Sequence, residues 1–134
     1  MNNDWRIVPM LDPSGTQNPN ATLALQHLTH VTPGSVIRLQ HVKTGKHLHS
    51  HDVRPPVSEV DFQNEVSGYG FEGFEGDAND NFIVEIDEEG LGKGWGGDKE
   101  SGKRLRTLRT KFKLRHQLSG CYLFSHKVGC SLAL

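Results

Sequence analysis

Cysteine is almost missing from this chain: Cys121 and Cys130 are the only two in 134 residues. Two cysteines make no disulfide framework, and nothing around them has the Cys/His spacing of a zinc site. Cys121 stands in Gly-Cys-Tyr-Leu-Phe and reads as a small buried hydrophobe rather than half of a bridge. An excess of charge is missing too. Fifteen Lys and Arg against 16 Asp and Glu leave a net charge of −1, without the basic footprint that non-specific nucleic-acid binding needs. No apolar run approaches the roughly 18 residues that span a bilayer. Met1 leads directly into Asn2-Asn3-Asp4, which is no secretory leader pattern. The hydrophobic fraction is low at 34%, while glycine is plentiful at 15 residues, so little core is expected per residue. Finally, no Ser/His/Asp order or paired carboxylate stands out. The Gly-Leu-Gly-Lys-Gly run at 90–94 precedes no helical pattern and is not a phosphate loop. The sequence therefore predicts no catalytic residue and no cofactor.

What the chain does contain is a copy of part of itself. Arg38-Leu39-Gln40-His41-Val42-Lys43-Thr44-Gly45-Lys46-His47-Leu48-His49-Ser50-His51 returns, ungapped, as Lys113-Leu114-Arg115-His116-Gln117-Leu118-Ser119-Gly120-Cys121-Tyr122-Leu123-Phe124-Ser125-His126. A weaker echo relates Asn2-Asn3-Asp4-Trp5-Arg6-Ile7-Val8 to Asn79-Asp80-Asn81-Phe82-Ile83-Val84-Glu85. Both are offset by about 75 residues. Self-similarity at a fixed period means one supersecondary unit used again.

No long segment keeps a 3.6-residue apolar period. Short strands are expected at 2–8, 36–42, 47–51, 66–69, 82–86, 105–108, 112–116 and 121–124. Residues 21–28 read equally as strand or helical turn. Lys43-Thr44-Gly45-Lys46 is a hairpin turn with glycine where a positive φ is wanted. Short strands, turn signals and an internal repeat give an all-β fold: trefoil, propeller or solenoid. Propeller blades run about 40–50 residues and solenoid coils less. The longer period here fits a trefoil whose units carry loop insertions.

Four blocks then sharpen the reading: Leu-His-Ser-His at 48–51, Pro55-Pro56-Val57-Ser58, Asn64-Glu65-Val66-Ser67-Gly68-Tyr69-Gly70, and Gly76-Asp77-Ala78-Asn79-Asp80-Asn81-Phe82. In this order and spacing they resemble a MIR repeat, most nearly that of the lumenal MIR domain of fungal protein O-mannosyltransferases. The resemblance makes 34–86 a complete repeat, 2–8 the last strand of a preceding one and 105–126 the start of a further one. Residues 9–33 connect, 87–104 form a Gly- and charge-rich loop, and 127–134 match no family pattern. It implies a β-trefoil, here incomplete, within a longer membrane protein of the endoplasmic reticulum. Such enzymes transfer mannose from dolichyl phosphate mannose to Ser or Thr of secretory proteins, with the catalytic acid outside this module. A homo- or heterodimeric transferase partner is implied as well. The alternative is a stand-alone MIR-repeat protein of the stromal cell-derived factor type, acting with chaperones of that compartment.

Candidate sites follow from the side chains. His47, His49 and His51 alternate, so a strand would place them on one face, where they could hold a metal. His41 and His51 recur as His116 and His126, which favours a packing role, and no metal is expected. His51, Arg54, Glu65 and Tyr69 offer donors, an acceptor and a stacking face for an acceptor protein or glycan. A simple surface pairing of Arg54 with Glu65 is the bland alternative. Asp77 and Asp80 faintly resemble a calcium loop, but an Asx-type turn capping its own backbone fits better. Asn20-Ala21-Thr22 is a glycosylation acceptor triplet at Asn20. Trp95, in a Gly-rich loop, is either a partner anchor or folded back on the domain.

Overall fold

The computed structural model describes residues 3–10, 31–55, 63–71, 73–74, 76–86 and 110–125. These form strands β1 (Trp5–Pro9), β2 (Val36–His41), β3 (His47–His51), β4 (Glu65–Tyr69), β5 (Phe82–Ile86) and β6 (Phe112–His116). One 3-10 turn, Ala78–Asp80, precedes β5. All pairings are antiparallel, in a six-stranded sheet running β4-β3-β2-β5-β6, with β1 added against β2. Where they fall on described residues the expected strands agree with these, except in the last segment, where Cys121, expected as a small buried hydrophobe, is also exposed. There 121–124 contributes a single bridge, Arg115 to Tyr122, rather than a strand. The segments 21–28, 87–104 and 105–108, and with them Asn20, Trp95, His126 and Cys130, lie outside the described residues.

Register fixes the two faces, because residues directly opposite in an antiparallel pair point the same way. Trp5, Ile7 and Pro9 of β1 stand opposite His41, Leu39 and Ile37 of β2. Ile37 stands opposite Phe82 of β5, and Phe82, Val84 and Ile86 stand opposite His116, Leu114 and Phe112 of β6. This face carries the core: Ile37, Phe82, Val84 and Leu114 are buried, with Val31, Leu39, Leu48, Ile86 and Leu123 packed against them. Among the described residues four buried apolar side chains make a small core, as the composition foretold. The opposite face is polar, with Arg38, His47 and His49 all buried there.

The sequence repeat is a structural repeat. In the first hairpin His41 N–H donates to Lys46 O (2.8 Å) and Gly45 N–H to His41 O (2.9 Å). In the second His116 N–H donates to Cys121 O (2.8 Å) and Gly120 N–H to His116 O (2.9 Å). Gly45 (φ 69°) and Gly120 (φ 72°) take the left-handed conformation that closes each turn. His41 Nδ1 bonds Thr44 Oγ1 at 2.9 Å; His116 Nδ1 bonds Ser119 Oγ at 2.8 Å. The weaker echo holds too. Val42 N–H donates to Asp4 O as Gln117 N–H donates to Asn81 O. Trp5 tilts against the His41 ring at 5.1 Å, as Phe82 does against His116 at 5.4 Å.

Gly76 and Gly120 test how tightly each turn is built. Both have positive φ, but only at Gly76 would a Cβ collide with the Asp80 carboxylate and crowd the Arg38 guanidinium. Gly120→Ala should cost about 1–2 kcal/mol from conformation alone. Gly76→Ala should cost about 2–5 kcal/mol, because overpacking adds to the same strain. Urea midpoints of the two variants measure the difference, and equal midpoints would contradict this packing.

Candidate functional site

The site begins with the turn before β5. Asp77 caps the 3-10 turn: its Oδ1 accepts from Asn79 N–H at 2.8 Å, while Asp77 N–H donates to Asp80 Oδ2 at 3.0 Å. This reciprocal capping box satisfies backbone groups that a helix start otherwise leaves free. Asp77 and Asp80 therefore serve the backbone of their own turn. The same geometry drives Asp80 inward until its side chain is 0% exposed.

A buried carboxylate must be paired. His49 of β3 supplies the partner, with Nδ1 2.8 Å from Asp80 Oδ1. His47, two residues earlier on the same face, places its Nδ1 3.9 Å from Asp80 Oδ2, beyond hydrogen-bond range. Burial, and then the nearby Arg38 charge, push the His47 pKa below its ordinary 6.5, against the pull of Asp80. A buried Arg, two buried His and a buried Asp thus form one polar cluster on the outer face.

The cluster reaches the surface through a line of rings. His49 Nε2 is 2.9 Å from His51 Nδ1, and His51 Nε2 is 4.0 Å from Glu65 Oε2. Since the Asp80 carboxylate accepts from His49 Nδ1–H, His49 Nε2 in the neutral ring takes the proton of His51 Nδ1–H. His51 Nε2 is then left to the outside. On the other flank His49 lies 4.6 Å from Tyr69, and Tyr69 meets Phe74 edge-on at 5.5 Å. Phe74 stacks on Phe71 at 5.1 Å. Tyr69 and Phe71 are exposed, Phe71 at 71%.

The expected binding residues are partly assembled by this arrangement. His51 and Glu65 face each other across the β3–β4 ladder, and Tyr69 lies further along the same face of β4. Arg54 is exposed just beyond the end of β3. Sequence reasoning read Asp80, which orients the whole line, as a turn residue only, and missed Phe71 and Phe74, which extend the aromatic surface. The Gly76-Asp77-Ala78-Asn79-Asp80 motif was visible as a turn, but its contact with β3 spans 31 residues. At the β5–β6 end of the sheet Glu85 bonds Arg115 (2.6 Å) and the Tyr122 hydroxyl (2.7 Å), which keeps its carboxyl below the usual range.

His49, Asp77 and Asp80 place ligand atoms within 4.8 Å of one another. Three of their four carboxylate oxygens are already engaged, however: Asp80 Oδ1 by His49, Asp80 Oδ2 by Asp77 N–H, and Asp77 Oδ1 by Asn79 N–H. Arg38 adds a positive charge beside them. Micromolar zinc should therefore leave the thermal midpoint unchanged. A true site would add about 2.7 kcal/mol at a hundredfold excess over its dissociation constant. Such stabilisation, lost in His49→Ala, would overturn this reading.

The second hairpin supplies a pH test. His116 Nδ1 accepts from Ser119 N–H, while Nε2 is 3.1 Å from Asn79 O and donates to it. Burial lowers its pKa from 6.5, with the Asn79 carbonyl opposing. His47 and His116 are both depressed, so the unfolded chain binds more protons than the folded one below pH about 6.5. Their contribution is full above that pH and is lost as pH falls through the folded values. Urea midpoints should drop between pH 7.5 and 5.5, and less steeply in His116→Asn. An equal drop in the variant would remove His116 from the account.

Comparisons with known proteins accord with this geometry. The MIR domain family matches residues 1–131. The chain is 47% identical over 126 residues to dolichyl-phosphate-mannose–protein mannosyltransferase 5 of Saccharomyces cerevisiae, covering 93% of this chain and 15% of that protein. It is 42% identical over 127 residues to mannosyltransferase 1 of Candida albicans, covering 95% of this chain and 13% of that protein. The chain thus spans about a seventh of the relatives it matches. Among solved structures it resembles the S. cerevisiae protein O-mannosyltransferase Pmt1–Pmt2 complex bound to the sugar donor. The TM-score is 0.68 at 44% identity, over 95% of this chain and 15% of that one. It also resembles the SDF2-like protein of Arabidopsis thaliana, with a TM-score of 0.60 at 28% identity, over 92% of this chain and 53% of that one. Six antiparallel strands, a repeated hairpin and these matches agree: the chain is part of a β-trefoil-type fold and belongs to the MIR domain family, as a segment like those found in fungal protein mannosyltransferases.

Proposed function

We propose that this chain is a non-catalytic recognition module of a protein O-mannosyltransferase, with residues 34–86 its complete repeat. In this reading the parent protein moves mannose from dolichyl phosphate mannose to Ser or Thr of secretory proteins. The module then lies on the lumenal side of the endoplasmic reticulum membrane. Among the described residues no helix is long and apolar enough to cross a membrane, so the anchor belongs elsewhere in the parent. The relative solved as a Pmt1–Pmt2 complex supports a heteromeric partner for the parent.

The observation that carries the recognition role is the line His51–Glu65–Tyr69–Phe71 on one side of the β3–β4 hairpin, half-buried at His51 and Glu65 and exposed at Tyr69 and Phe71. His51 Nε2 and the Glu65 carboxylate both accept, 4.0 Å apart. Tyr69 and Phe71 add apolar ring faces at the other end. Four residues of strand separate Glu65 from Tyr69, about 13 Å. Acceptors at one end and rings at the other suit a ligand rich in hydroxyl or N–H donors. An extended Ser/Thr-bearing peptide of about four residues has that length, as does a short glycan. Arg54 can reach such a ligand from the end of β3.

The likeness to the SDF2-like protein supports a second reading, a stand-alone MIR-repeat protein acting with chaperones. The higher identity to the mannosyltransferases favours the first. Membrane-spanning helices encoded on either side of this segment would decide between them.

In a complete transferase carrying this segment, His51→Ala with Glu65→Ala should lower transfer to folded acceptor proteins. Each lost hydrogen bond to a neutral group costs about 0.5–1.5 kcal/mol. The pair should thus reduce kcat/KM roughly ten- to hundredfold at low acceptor concentration. Short peptides that never reach the module should react normally, because remote contacts are what the module contributes. Unchanged rates for both acceptor classes would remove these residues from the binding surface. An equal fall for both would assign the module to assembly of the enzyme.

A further inference from the structure

Two hydrogen-bond acceptors face each other at the outer end of the ring line. Asp80 Oδ1 takes the proton of His49 Nδ1, and His49 Nε2 takes that of His51 Nδ1. The neutral His51 ring therefore presents a bare Nε2. Opposite it, the Glu65 carboxylate stands 4.0 Å away, beyond hydrogen-bond range. Both side chains are half-buried. Among the described residues no donor reaches the Glu65 carboxylate.

Two acceptors at this spacing are complementary to one kind of group. A nitrogen about 2.8 Å from each would see them about 90° apart, close to the angle between two N–H bonds of an ammonium. A single hydroxyl has one hydrogen to give and leaves one acceptor unmet. A pair of neighbouring hydroxyls meets both, but brings no positive charge to a half-buried carboxylate. Asp52 and Arg54, both exposed beyond the end of β3, carry opposite charges, so Glu65 supplies the local excess.

We propose that the gap between His51 and Glu65 receives a primary ammonium, that of a lysine in an extended peptide, and that proton uptake by His51 expels it. The proposal rests on the recognition role argued above and narrows it to a basic peptide. A lysine lays its methylene stem on apolar surface while its head group is bonded. Tyr69 and Phe71 offer ring faces to the rest of the same peptide.

The proton acts through the same gap. Imidazole is the side chain that changes charge between pH 5 and 8. Once protonated, His51 Nε2 becomes a donor, pairs with Glu65 and closes the gap, and its charge repels the ammonium. Every packed element contributes to the balance. His49 comes from β3, with Asp52 and Arg54 beyond its end, and Glu65 comes from β4. From the turn before β5, Asp77 and Asp80 lie 3.6 Å and 2.8 Å from His49 Nδ1, and Arg38 of β2 lies beside Asp80. The carboxylates favour the proton and the two guanidiniums oppose it. Glu65, the nearest of them, can hold either the protonated ring or the ligand.

In a complete transferase carrying this segment, the anisotropy of two labelled, end-blocked Ser/Thr tetrapeptides tests this. One contains lysine and its twin acetyl-lysine, which loses the charge. At pH 8 the lysine peptide should bind about tenfold more tightly. Its affinity should fall roughly tenfold from pH 8 to 5.5. Glu65→Gln should bring the twins to equal affinity. His51→Gln keeps an acceptor without a titrating ring and should abolish the pH dependence. The comparison of twins in the wild type is independent of how the variants fold. Twins that bind equally at pH 8, both weakened by His51→Ala with Glu65→Ala, would overturn the ammonium and leave the recognition role standing. Twins that bind equally and ignore that double change would remove both. An affinity for lysine that is the same at both pH values, or that still falls in folded His51→Gln, would overturn the competing proton. Displacement of both twins by millimolar methyl mannoside would assign the gap to neighbouring hydroxyls and overturn the ammonium.

Discussion

The arrangement of the outer face depends on one buried carboxylate. Asp80 is fully enclosed, and an unpaired carboxylate in such a place costs far more than this small core can offset. It is tolerated because three directions of pairing converge on it. A backbone N–H comes from its own capping turn, an imidazole comes from β3, and the charge of Arg38 lies beside it. Each pairing constrains a different element. The capping box sets the turn before β5, the His49 contact fixes β3 against that turn, and Arg38 ties in β2. Gly76 belongs to the same constraint, since only a missing side chain lets carboxylate and guanidinium approach the backbone there.

The same carboxylate determines what the surface presents. It fixes the tautomer of His49, and through it the hydrogen of His51, so that His51 turns an acceptor outward beside Glu65. A buried carboxylate and a half-buried imidazole are thus two ends of one hydrogen-bonded line. The corresponding positions of the second hairpin are different. His49 is replaced by Phe124 and His47 by Tyr122, and the latter bonds Glu85 rather than a buried carboxylate. The hairpin scaffold repeats, whereas the polar line along it does not. The polar line is therefore confined, among the described residues, to the repeat bounded by β2 and β5.

Local signals were legible in the sequence and distant ones were not. The turns at Gly45 and Gly120 could be read from a few neighbouring residues, because glycine at that place answers a local need for positive φ. The repeat could be read because identical side chains do identical work: His41 with Thr44, His116 with Ser119. The alternation of His47, His49 and His51 gave their shared face correctly. It gave no hint that two would be buried and one not, since that depends on a turn 31 residues away folding back over β3. Residues 121–124 read as a strand from their apolar content, but content does not supply a partner. The stretch makes one bridge, Tyr122 across from Arg115, flanked by the Cys121 O and Leu123 N–H bonds to β6.

That last case shows why repetition can specify more than one outcome. In the first unit the strand after the hairpin, β3, is held by β4 through five residue pairs. In the second, the equivalent stretch meets no such strand among the described residues and keeps one bridge. Edges, unlike cores, are completed by whichever strand has the matching pattern, and within one continuous trefoil an edge of this kind would meet the next repeat. The capping carboxylate, the glycine beside it and the ring line to the surface all lie within the unit where, among the described residues, β2 and β5 are paired on both edges.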